Sequence, residues 1–250
     1  MEANTRETII EVENLVKKFG NFVANDNLTF KVYKGEIFGF LGANGAGKTT
    51  AIRILSGLLE PTSGKISVAG FNAYTQRDLI KANIGYMSQK FSLYDDLTVR
   101  ENIRFFGGIY GLNRKTLKLR IDELLSNLKM LEFKDELISS LPLGWKQRLS
   151  FSIAMIHKPV IVFLDEPTGG VDPITRRSFW EMIHDASNQG ITVFVTTHYM
   201  DEAEYCDRVT IMVDGRIEAL DTPTNMKQSF NANSMDEVFV MLARKAKTVA

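Results

Sequence analysis

Residues 37–55, IFGFLGANGAGKTTAIRIL, decide the fold of this chain, because they predict a strand, a glycine-rich loop and a helix in unbroken order. The apolar run IFGFL is typical of a parallel strand that is buried on both faces. The pattern G-x-x-x-x-G-K-[ST] follows and is met by Gly42, Gly47, Lys48 and Thr49. Glycines let such a loop turn its backbone N–H groups toward a phosphate, and the following helix presents its positive end to the anion. The stretch therefore predicts a nucleoside triphosphate site.

Each part of this phosphate loop has a predicted task. Lys48 supplies a positive charge for the outer phosphates, and the hydroxyl of Thr49 is a ligand for Mg²⁺. The nucleotide-binding loop comprises Gly42, Ala43, Asn44, Gly45, Ala46, Gly47, Lys48, Thr49 and Thr50. The alternative is a flexible turn without a ligand. The strand and helix patterns on either side of the loop disfavour it.

The composition indicates an ordinary globular protein. The chain has 250 residues and 44% apolar content, which suffices for one large domain or two small ones. Thirty basic residues balance thirty acidic ones, so we expect no nucleic-acid partner. The single cysteine, Cys206, cannot form an internal disulfide, and we expect it to be a small core residue in a reducing cytoplasm. No signal-peptide core and no run of about eighteen apolar residues occurs, so we expect neither export nor a membrane span.

The hydrophobic pattern predicts an α/β fold. Two alternating stretches before the loop, through Leu15 and from Leu28, predict a small N-terminal antiparallel sheet. Apolar runs at residues 84–87, 160–164 and 191–195 predict further buried strands beside the first, in a mostly parallel sheet. Residues 209–213 and 216–220 predict a closing hairpin.

A helical segment interrupts this pattern. Thr98 and Glu101 form a capping box, and a second helix is expected after Asn113. The insert covers roughly residues 91–151 and is too long for a crossover. We therefore expect a single domain in which residues 1–90 and 152–250 form the nucleotide-binding core with its small antiparallel sheet, and residues 91–151 form an α-helical subdomain.

Two carboxylates end the apolar run VIVFL. Asp165 and Glu166 at the end of a buried strand are costly unless a cation compensates them. Beside a phosphate loop that cation is Mg²⁺. We expect Asp165 to hold the metal as the partner of Thr49, and Glu166 to orient and polarise the attacking water. The alternative is a pair of exposed acids that cap a turn before Pro167.

Other polar or aromatic side chains lie where strands end. Gln89 and His198 follow buried strands, so Gln89 can reach Mg²⁺ or its water and His198 can donate to the γ-phosphate. A solvated glutamine is the alternative for Gln89. The remaining histidines, His157 and His184, are expected to be ordinary surface or capping residues. Phe19, flanked by turn residues between two strands, is either an adenine-stacking ring or a core aromatic.

These motifs together resemble the nucleotide-binding domain of ATP-binding cassette (ABC) transporters, over roughly residues 11–244. The phrases IGYMSQKFSLYDDLTVRENI, LDEPTGGVDP and TTHYMDEAEYCDR resemble ATPase subunits of ABC-2 type exporters. The resemblance implies a P-loop NTPase (RecA-like) core and the cofactors ATP and Mg²⁺. It also implies that Phe19 stacks on adenine, that Gln89 binds Mg²⁺ and signals to the permease, and that His198 contacts the γ-phosphate. Asp172 would contact a second subunit.

One segment departs from the family pattern. The family signature is LSGGQ, and the corresponding place here reads LPLGW. In the family this segment closes over ATP held by the opposite subunit, and some exporters carry LPLGW as this chain does. The residues assigned to the signature and the dimer contact are Leu141, Pro142, Leu143, Gly144, Trp145, Lys146, Gln147 and Asp172. We expect Pro142 at the first helical position, Leu143 to hinder close approach and Trp145 to cover part of the opposite nucleotide.

The resemblance also implies partners. A lone copy cannot complete the site, so we expect a homodimer or a paired second cassette, together with an ABC-2 type permease at the inner face of the cell membrane. The apolar residues Phe91, Leu93, Tyr94, Phe105 and Phe106 either receive a permease helix or form core. The expected function is ATP hydrolysis that powers an exporter of a drug, lipid or other hydrophobic substrate. The alternatives are a soluble ABC ATPase without transport and a regulatory subunit that has lost hydrolysis.

Overall fold

The computed structural model describes residues 6–90 and 92–249, with side chains described as far as Lys245. The strands are β1 (Thr8–Phe19), β2 (Phe22–Tyr33), β3 (Ile37–Gly42), β4 (Ser63–Val68), β5 (Phe71–Asn72), β6 (Ile84–Met87), β7 (Ile161–Asp165), β8 (Thr192–Thr197), β9 (Arg208–Val213) and β10 (Arg216–Asp221). The α-helices are α1 (Lys48–Leu55), α2 (Arg77–Asn83), α3 (Val99–Ile109), α4 (Arg114–Asn127), α5 (Leu143–Ala154), α6 (Pro173–Asn188), α7 (Pro223–Ser229) and α8 (Met235–Val249). Short 3₁₀ helices cover Ile138–Ser140 and Met200–Tyr205.

The core sheet has the strand order β10-β9-β3-β8-β7-β6. Each neighbouring pair from β9 to β6 is parallel, and β10 joins antiparallel through the hairpin turn after β9. Every residue of β3, β7 and β8 is buried, as a parallel strand covered on both faces requires. The predicted mostly parallel sheet is confirmed. Its topology brings the C-terminal ends of β3, β6, β7 and β8 to one edge, which we call the carboxyl edge.

A second, antiparallel sheet has the order β2-β1-β4-β5 and confirms the predicted N-terminal subdomain. Phe19 is the last residue of β1 and pairs with Phe22 across a tight turn. The prediction that Phe19 lies outside the strand was wrong. The backbone ladder continues to the turn although the ring is not buried, and periodicity of burial cannot detect such a residue.

Apolar clusters lie on the two faces of the core sheet. Phe38 and Phe40 of β3 pack with α1 and the antiparallel sheet. Ile37 and Leu41 point to the opposite face and pack with α6, α7 and α8. Because successive side chains of β3 enter apolar clusters on opposite faces, the strand is a continuous apolar run. Cys206 is buried in the second cluster, as expected of a small core residue.

Helices α3, α4 and α5, here called the helical lobe, share a third apolar cluster. Thr98 and Glu101 form both bonds of the predicted capping box, and Asn113 caps α4. Helix α5 continues to Ala154, past the predicted boundary at residue 151. The division into subdomains otherwise stays a prediction. Within the described ranges, no helix combines the length and apolarity needed to span a membrane.

His157 follows α5 and connects the helical lobe to the core sheet. Its ring stacks on Tyr110 with centroids 3.9 Å apart, and its Nε2 lies 3.0 Å from the carbonyl oxygen of Ile84. Burial lowers the pKa of His157. The prediction of a surface or capping residue was therefore wrong for His157, because the turn after α5 directs the ring inward. His184 is exposed on α6, as expected.

Candidate functional site

The phosphate loop closes tightly between β3 and α1. Gly47 has a φ of 99°, and a Cβ at this position would lie 2.3 Å from the carbonyl oxygen of Ala24, so only glycine fits. A Cβ on Gly42 would lie 2.6 Å from the carbonyl oxygen of Met212. No side chain in the described residues caps α1, whose first N–H groups stay available to an anion.

Two backbone carbonyls of the phosphate loop accept hydrogen bonds from outside the loop. The side-chain Nδ2 of Asn25, which is fully buried in β2, donates to the carbonyl oxygen of Gly47 at 3.1 Å. The N–H of Gly215 donates to the carbonyl oxygen of Ala46 at 3.2 Å. Sequence analysis missed Asn25. The available signal was an asparagine at the point in FVANDNLTF where the alternation of β2 is interrupted.

Lys48 begins α1 and is only 3% exposed. Its Nζ donates to the carbonyl oxygens of Gly42 and Ala43, at 2.8 Å and 3.1 Å, and lies 3.1 Å from Glu166 Oε1. An ammonium has three N–H donors, and these three acceptors match them. The lysine is thus fixed between the loop and the end of β7.

Asp165 ends β7 and meets Thr49, as the sequence predicts. The hydroxyl of Thr49 donates to Asp165 Oδ1 at 3.2 Å, and that of Thr196 donates to the same oxygen at 2.7 Å. Burial raises the pKa of Asp165, against the opposing effect of these two hydrogen bonds. A buried carboxylate next to a hydroxyl suits Mg²⁺, which uses one or two carboxylates together with substrate phosphates. The donor set therefore fits Mg²⁺.

Glu166 is the point where the predicted site residues meet. Its Oε2 accepts a hydrogen bond from Gln89 Nε2 at 3.0 Å and lies 3.0 Å from His198 Nδ1, while Lys48 contacts Oε1. Its backbone has a φ of 48°, a strained conformation for a residue with a side chain. The N–H of Glu166 donates to the carbonyl and hydroxyl oxygens of Thr196, which stabilises this turn. The alternative of two exposed acids is wrong, because both carboxylates are buried.

Phe19 lies at the edge of the antiparallel sheet with half of its surface exposed (50%). The Nζ of Lys17 lies 4.9 Å from the ring centroid and also donates to the carbonyl oxygen of Glu60 at 2.9 Å. The alternative of a core aromatic is therefore wrong. The ammonium covers one face of the ring, and stacking of adenine on the other face stays a prediction.

Helix α5 begins at Leu143, with Pro142 as its N-cap. The expectation that Pro142 occupies the first helical position was therefore off by one residue. Its carbonyl oxygen accepts hydrogen bonds from the N–H groups of Trp145 and Lys146, at 3.0 Å and 3.2 Å, which is what an N-cap residue does. Leu143 stays exposed at this helix start (44%).

Two residues assigned to the signature and the dimer contact are buried, and a third is partly buried. Leu141 is buried in the cluster of the helical lobe. Gln147 is fully buried, and its Nε2 donates to the carbonyl oxygen of Pro167, just after Glu166. Trp145 is partly buried and packs edge-on against Phe133 with ring centroids 4.9 Å apart, and its cover over an opposite nucleotide stays a prediction. Within α5, helical spacing turns Gln147 toward the interior, an orientation that the sequence motif does not contain.

Among the other assigned residues, Asp172 is exposed, and Gly144 and Lys146 are partly exposed. Lys146 pairs with Asp95 at 3.1 Å, and Gly144 lies so close to α6 that a Cβ would be 2.7 Å from Thr175 Cγ2. Asp172 is the N-cap of α6 and accepts hydrogen bonds from the N–H groups of Ile174 and Thr175 at 3.0 Å each. The hydrogen bond from the Thr175 hydroxyl lowers the pKa of Asp172.

The apolar residues predicted to receive a permease helix differ in their exposure. Tyr94 and Phe105 are exposed and pack edge-on with ring centroids 4.9 Å apart. Leu93 and Phe106 are partly buried against the cluster of the helical lobe, so they are closer to the core alternative. Phe91 lies outside the described residues.

The phosphate loop, the two buried carboxylates and the inserted helical lobe define a P-loop nucleoside triphosphatase of the cassette class. Residues 25–169 match the family model described as "ABC transporter". The chain is 45% identical to the "Probable multidrug ABC transporter ATP-binding protein YbhF" of Escherichia coli, covering 97% of this chain and 43% of that protein. It is 35% identical to the "Linearmycin resistance ATP-binding protein LnrL" of Bacillus subtilis, covering 97% of this chain and 78% of that protein.

A solved structure described as "Structure of ATP binding subunit of ABC transporter" is also similar, with a TM-score of 0.84 and 28% identity. The match covers 94% of this chain and 99% of that one. The chain therefore belongs to the ABC transporter family. It spans less than half the length of YbhF.

Proposed function

We propose that this chain hydrolyses MgATP as one of a pair of cassettes and so powers an ABC-2 type permease that exports a drug, lipid or other hydrophobic substrate. The observation that carries this proposal is that Lys48, Gln89 and His198 all contact the buried carboxylate of Glu166. The printed names of YbhF and LnrL, which refer to multidrug transport and linearmycin resistance, support export. The cassette would lie at the inner face of the cell membrane, held there by the permease.

Nucleotide binding would use the phosphate loop and the exposed ring of Phe19. The N–H groups at the start of α1 and the ammonium of Lys48 would contact the phosphates, because both present positive charge at the same place. Thr49 and Asp165 would hold Mg²⁺. Gln89, which donates to Glu166, would reach the same ion or its water. Bound Mg²⁺ supplies neutralisation of the phosphate charge in this class of reaction.

Glu166 would orient the attacking water and accept its proton. Its two oxygens have different neighbours: Lys48 contacts Oε1, and Gln89 and His198 contact Oε2. A γ-phosphate oxygen would compete with Oε1 for the ammonium of Lys48, which leaves Oε1 free to accept from water. The proton thus moves from water to Glu166 Oε1 while the lysine stabilises the phosphate.

His198 would contact the γ-phosphate through its other ring nitrogen. A carboxylate only accepts hydrogen bonds, so Nδ1 is the donor to Glu166 and Nε2 points away from it. Nε2 is then the ring nitrogen that is available to the γ-phosphate.

The second cassette would contribute the start of its α5. The N–H groups near Gly144 lie at a helix N-terminus that no side chain of the described residues caps, so they can attract the γ-phosphate held by the other copy. Asp172 would contact that copy from the start of α6. We also propose that residues 1–90 and 152–250 form the ATP-binding core and that residues 91–151 form the α-helical subdomain that carries the start of α5.

The two alternative functions have less support. A soluble cassette without transport lacks a specific observation in its favour, although the exposed Tyr94 and Phe105 are compatible with any apolar partner. A regulatory subunit without hydrolysis is motivated only by the segment LPLGW. The buried and fully partnered Glu166 opposes it, because an unused carboxylate there would be a cost without a function.

Hydrolysis by the purified chain with and without its permease tests the proposal. We expect slow phosphate release by the chain alone and a higher rate in liposomes with the co-purified membrane subunit, which holds two copies at high effective concentration. Tyr94→Glu or Phe105→Glu should lower this stimulation and leave the basal rate unchanged. Leu119→Glu, at an exposed leucine of α4, is the matched control. Absence of hydrolysis in both preparations contradicts the proposal, and unchanged stimulation of the Tyr94 and Phe105 variants contradicts the permease surface.

A further inference from the structure

Three planar groups stand in a row behind Glu166. The rings of His198 and Tyr199 have centroids 4.1 Å apart with planes inclined by 36°. The guanidinium carbon of Arg176 lies 4.2 Å from the centroid of the Tyr199 ring. At the other end of the row, His198 Nδ1 lies 3.0 Å from Glu166 Oε2. The row therefore connects the carboxyl edge of the core sheet to helix α6.

Arg176 is fixed at its end of the row. It lies one turn after the N-cap of α6, and its N–H donates to the carbonyl oxygen of Asp172 at 3.0 Å. Its Nε lies 3.7 Å from Glu202 Oε1, and one of its two terminal nitrogens, Nη1, lies 3.6 Å from Asp201 Oδ2. Glu202 is fully buried, and neither of its oxygens accepts a hydrogen bond within the described residues. The buried carboxylate thus depends on the guanidinium charge, which anchors Arg176 in return.

His198 needs such support because a single contact does not define its ring. The imidazole is partly exposed, and rotation about its side-chain torsions would move Nε2 while Nδ1 stays near Glu166. A ring packed on its face removes that freedom. Guanidinium groups favour the faces of aromatic rings, so Arg176 holds Tyr199 in turn. Tyr199 is further fixed by its N–H, which donates to the hydroxyl of Thr197 at 3.0 Å.

We propose that Tyr199 and Arg176 are positioning residues for His198: Tyr199 packs on the imidazole and Arg176 holds Tyr199, so that Nε2 stays directed at the γ-phosphate. The inference rests on the proposed hydrolysis of ATP. Both residues act through His198 and not on the reacting atoms. The row also makes the start of α6, where Asp172 would meet the second cassette, mechanically continuous with His198.

Steady-state hydrolysis by four variants tests this role. Tyr199→Ala and Arg176→Ala should lower kcat by about 10- to 100-fold, the size of loss that misplacing a catalytic group causes, with little change in KM. Tyr199→Phe keeps the ring and should retain most of the native kcat. Arg176→Lys keeps the charge beside Glu202 but loses the flat face, so its kcat should fall between those of native protein and Arg176→Ala. Arg177→Ala, at the exposed neighbouring residue (82%), is the matched control.

Nuclear magnetic resonance of the His198 ring gives a second readout that does not need turnover. Arg176→Ala should shift or broaden the His198 ring signal although the two side chains are separated by Tyr199, and Arg177→Ala should leave it unchanged. A native kcat in Tyr199→Ala, a loss in Tyr199→Phe as large as in Tyr199→Ala, or an unchanged His198 signal in Arg176→Ala overturns the inference. Native protein without hydrolysis overturns the proposed function instead, and the ring signals then decide on the positioning contacts alone. Thermal midpoints identify any variant that does not fold.

Discussion

The carboxyl edge of the core sheet and the start of α5 would together enclose one ATP in a pair of cassettes, yet they are built differently. At the carboxyl edge, the charged groups of Lys48, Asp165 and Glu166 are buried and each has at least two polar partners. At the start of α5, Leu143 is exposed, and no side chain of the described residues caps the helix, so its first backbone N–H groups are what it offers to an anion.

This difference indicates which region contributes more free energy to nucleotide binding and hydrolysis. Buried charges have large interaction energies because little water screens them, and they are costly when one partner is removed. A helix N-terminus contributes only about 0.3–2 kcal/mol to anion binding. We therefore expect substitutions at the carboxyl edge to change binding or hydrolysis by orders of magnitude, and substitutions at the start of α5 to change dimer affinity by small factors.

Glu166→Gln should have the largest effect. The amide is nearly isosteric but cannot accept a proton, so hydrolysis should slow by about 10²–10⁴-fold while MgATP stays bound. Phosphate release measures the rate, and light scattering with ATP should detect a dimer. Glu181→Gln, at an exposed glutamate of α6, is the control and should hydrolyse at the native rate. A Glu166 variant with native hydrolysis that stays monomeric with ATP would reject both the role of Glu166 and the shared site.

Lys48→Ala should weaken ATP binding by about 10- to 150-fold, because charge-assisted hydrogen bonds contribute roughly 1.5–3 kcal/mol. The change also leaves Glu166 Oε1 without its cation. The shift of the thermal midpoint on adding ATP measures the effect. Lys65→Ala, at an exposed lysine of β4, should behave as native protein. Equal stabilisation of the Lys48 variant and native protein by ATP would mean that another residue neutralises the phosphates.

The carboxyl edge could be predicted from sequence because its residues end apolar runs. Phosphate-loop spacing and the strand ends at Gln89, Asp165 and His198 predict proximity, since parallel strands end at one edge. The burial of Gln147 and the packing of Trp145 on Phe133 could not be predicted, because they depend on how α5 packs against the lobe and on the loop at Pro167. Motif alignment assigns a residue to a site, but the helical phase decides which side chain faces it.

Asn25 was missed for a related reason. Its value depends on a single hydrogen bond to the carbonyl oxygen of Gly47, which is 22 positions away in sequence and invisible to any local pattern. A contact between β2 and the phosphate loop that precedes α1 forms only in the folded chain. The phosphate loop is thus predictable as a motif, whereas its support from β2 is not.

Asn25→Asp should have an intermediate effect. The aspartate has the same shape but no N–H donor, and it would place a second acceptor against the Gly47 carbonyl oxygen. Leaving buried polar groups unsatisfied costs about 1–3 kcal/mol, so we expect roughly tenfold weaker ATP binding by titration calorimetry. Asn27→Asp is the control, because Asn27 is exposed and has a φ of 53° that aspartate tolerates. Native ATP affinity together with a lower thermal midpoint would assign Asn25 to the fold and not to the loop.

The smallest expected effect concerns the start of α5, where Pro142→Ser and Leu143→Gly together restore the hydroxyl and the glycine of the family signature. A serine hydroxyl at the N-cap can donate to a phosphate held by the other copy, and glycine in place of the exposed Leu143 allows closer approach. We expect the ATP-bound dimer to tighten by about 1 kcal/mol, roughly fivefold, for each recovered hydrogen bond. The dimer dissociation constant, measured by analytical ultracentrifugation in the Glu166→Gln background, tests this expectation.

The same serine could instead cap its own helix, which would stabilise the monomer by about 0.5–2 kcal/mol. The thermal midpoint of the ATP-free chain separates the two effects, because only the cap raises it. The single variants Pro142→Ser and Leu143→Gly show how much of the gain in dimer affinity comes from the hydroxyl and how much from closer approach of the second cassette. Leu131→Gly, at an exposed leucine between α4 and α5, controls for the loss of apolar surface. A double variant that dimerises less well than its Glu166→Gln parent would mean that Leu143 itself contacts the second cassette, so that this helix start closes through apolar packing and not through its N–H groups.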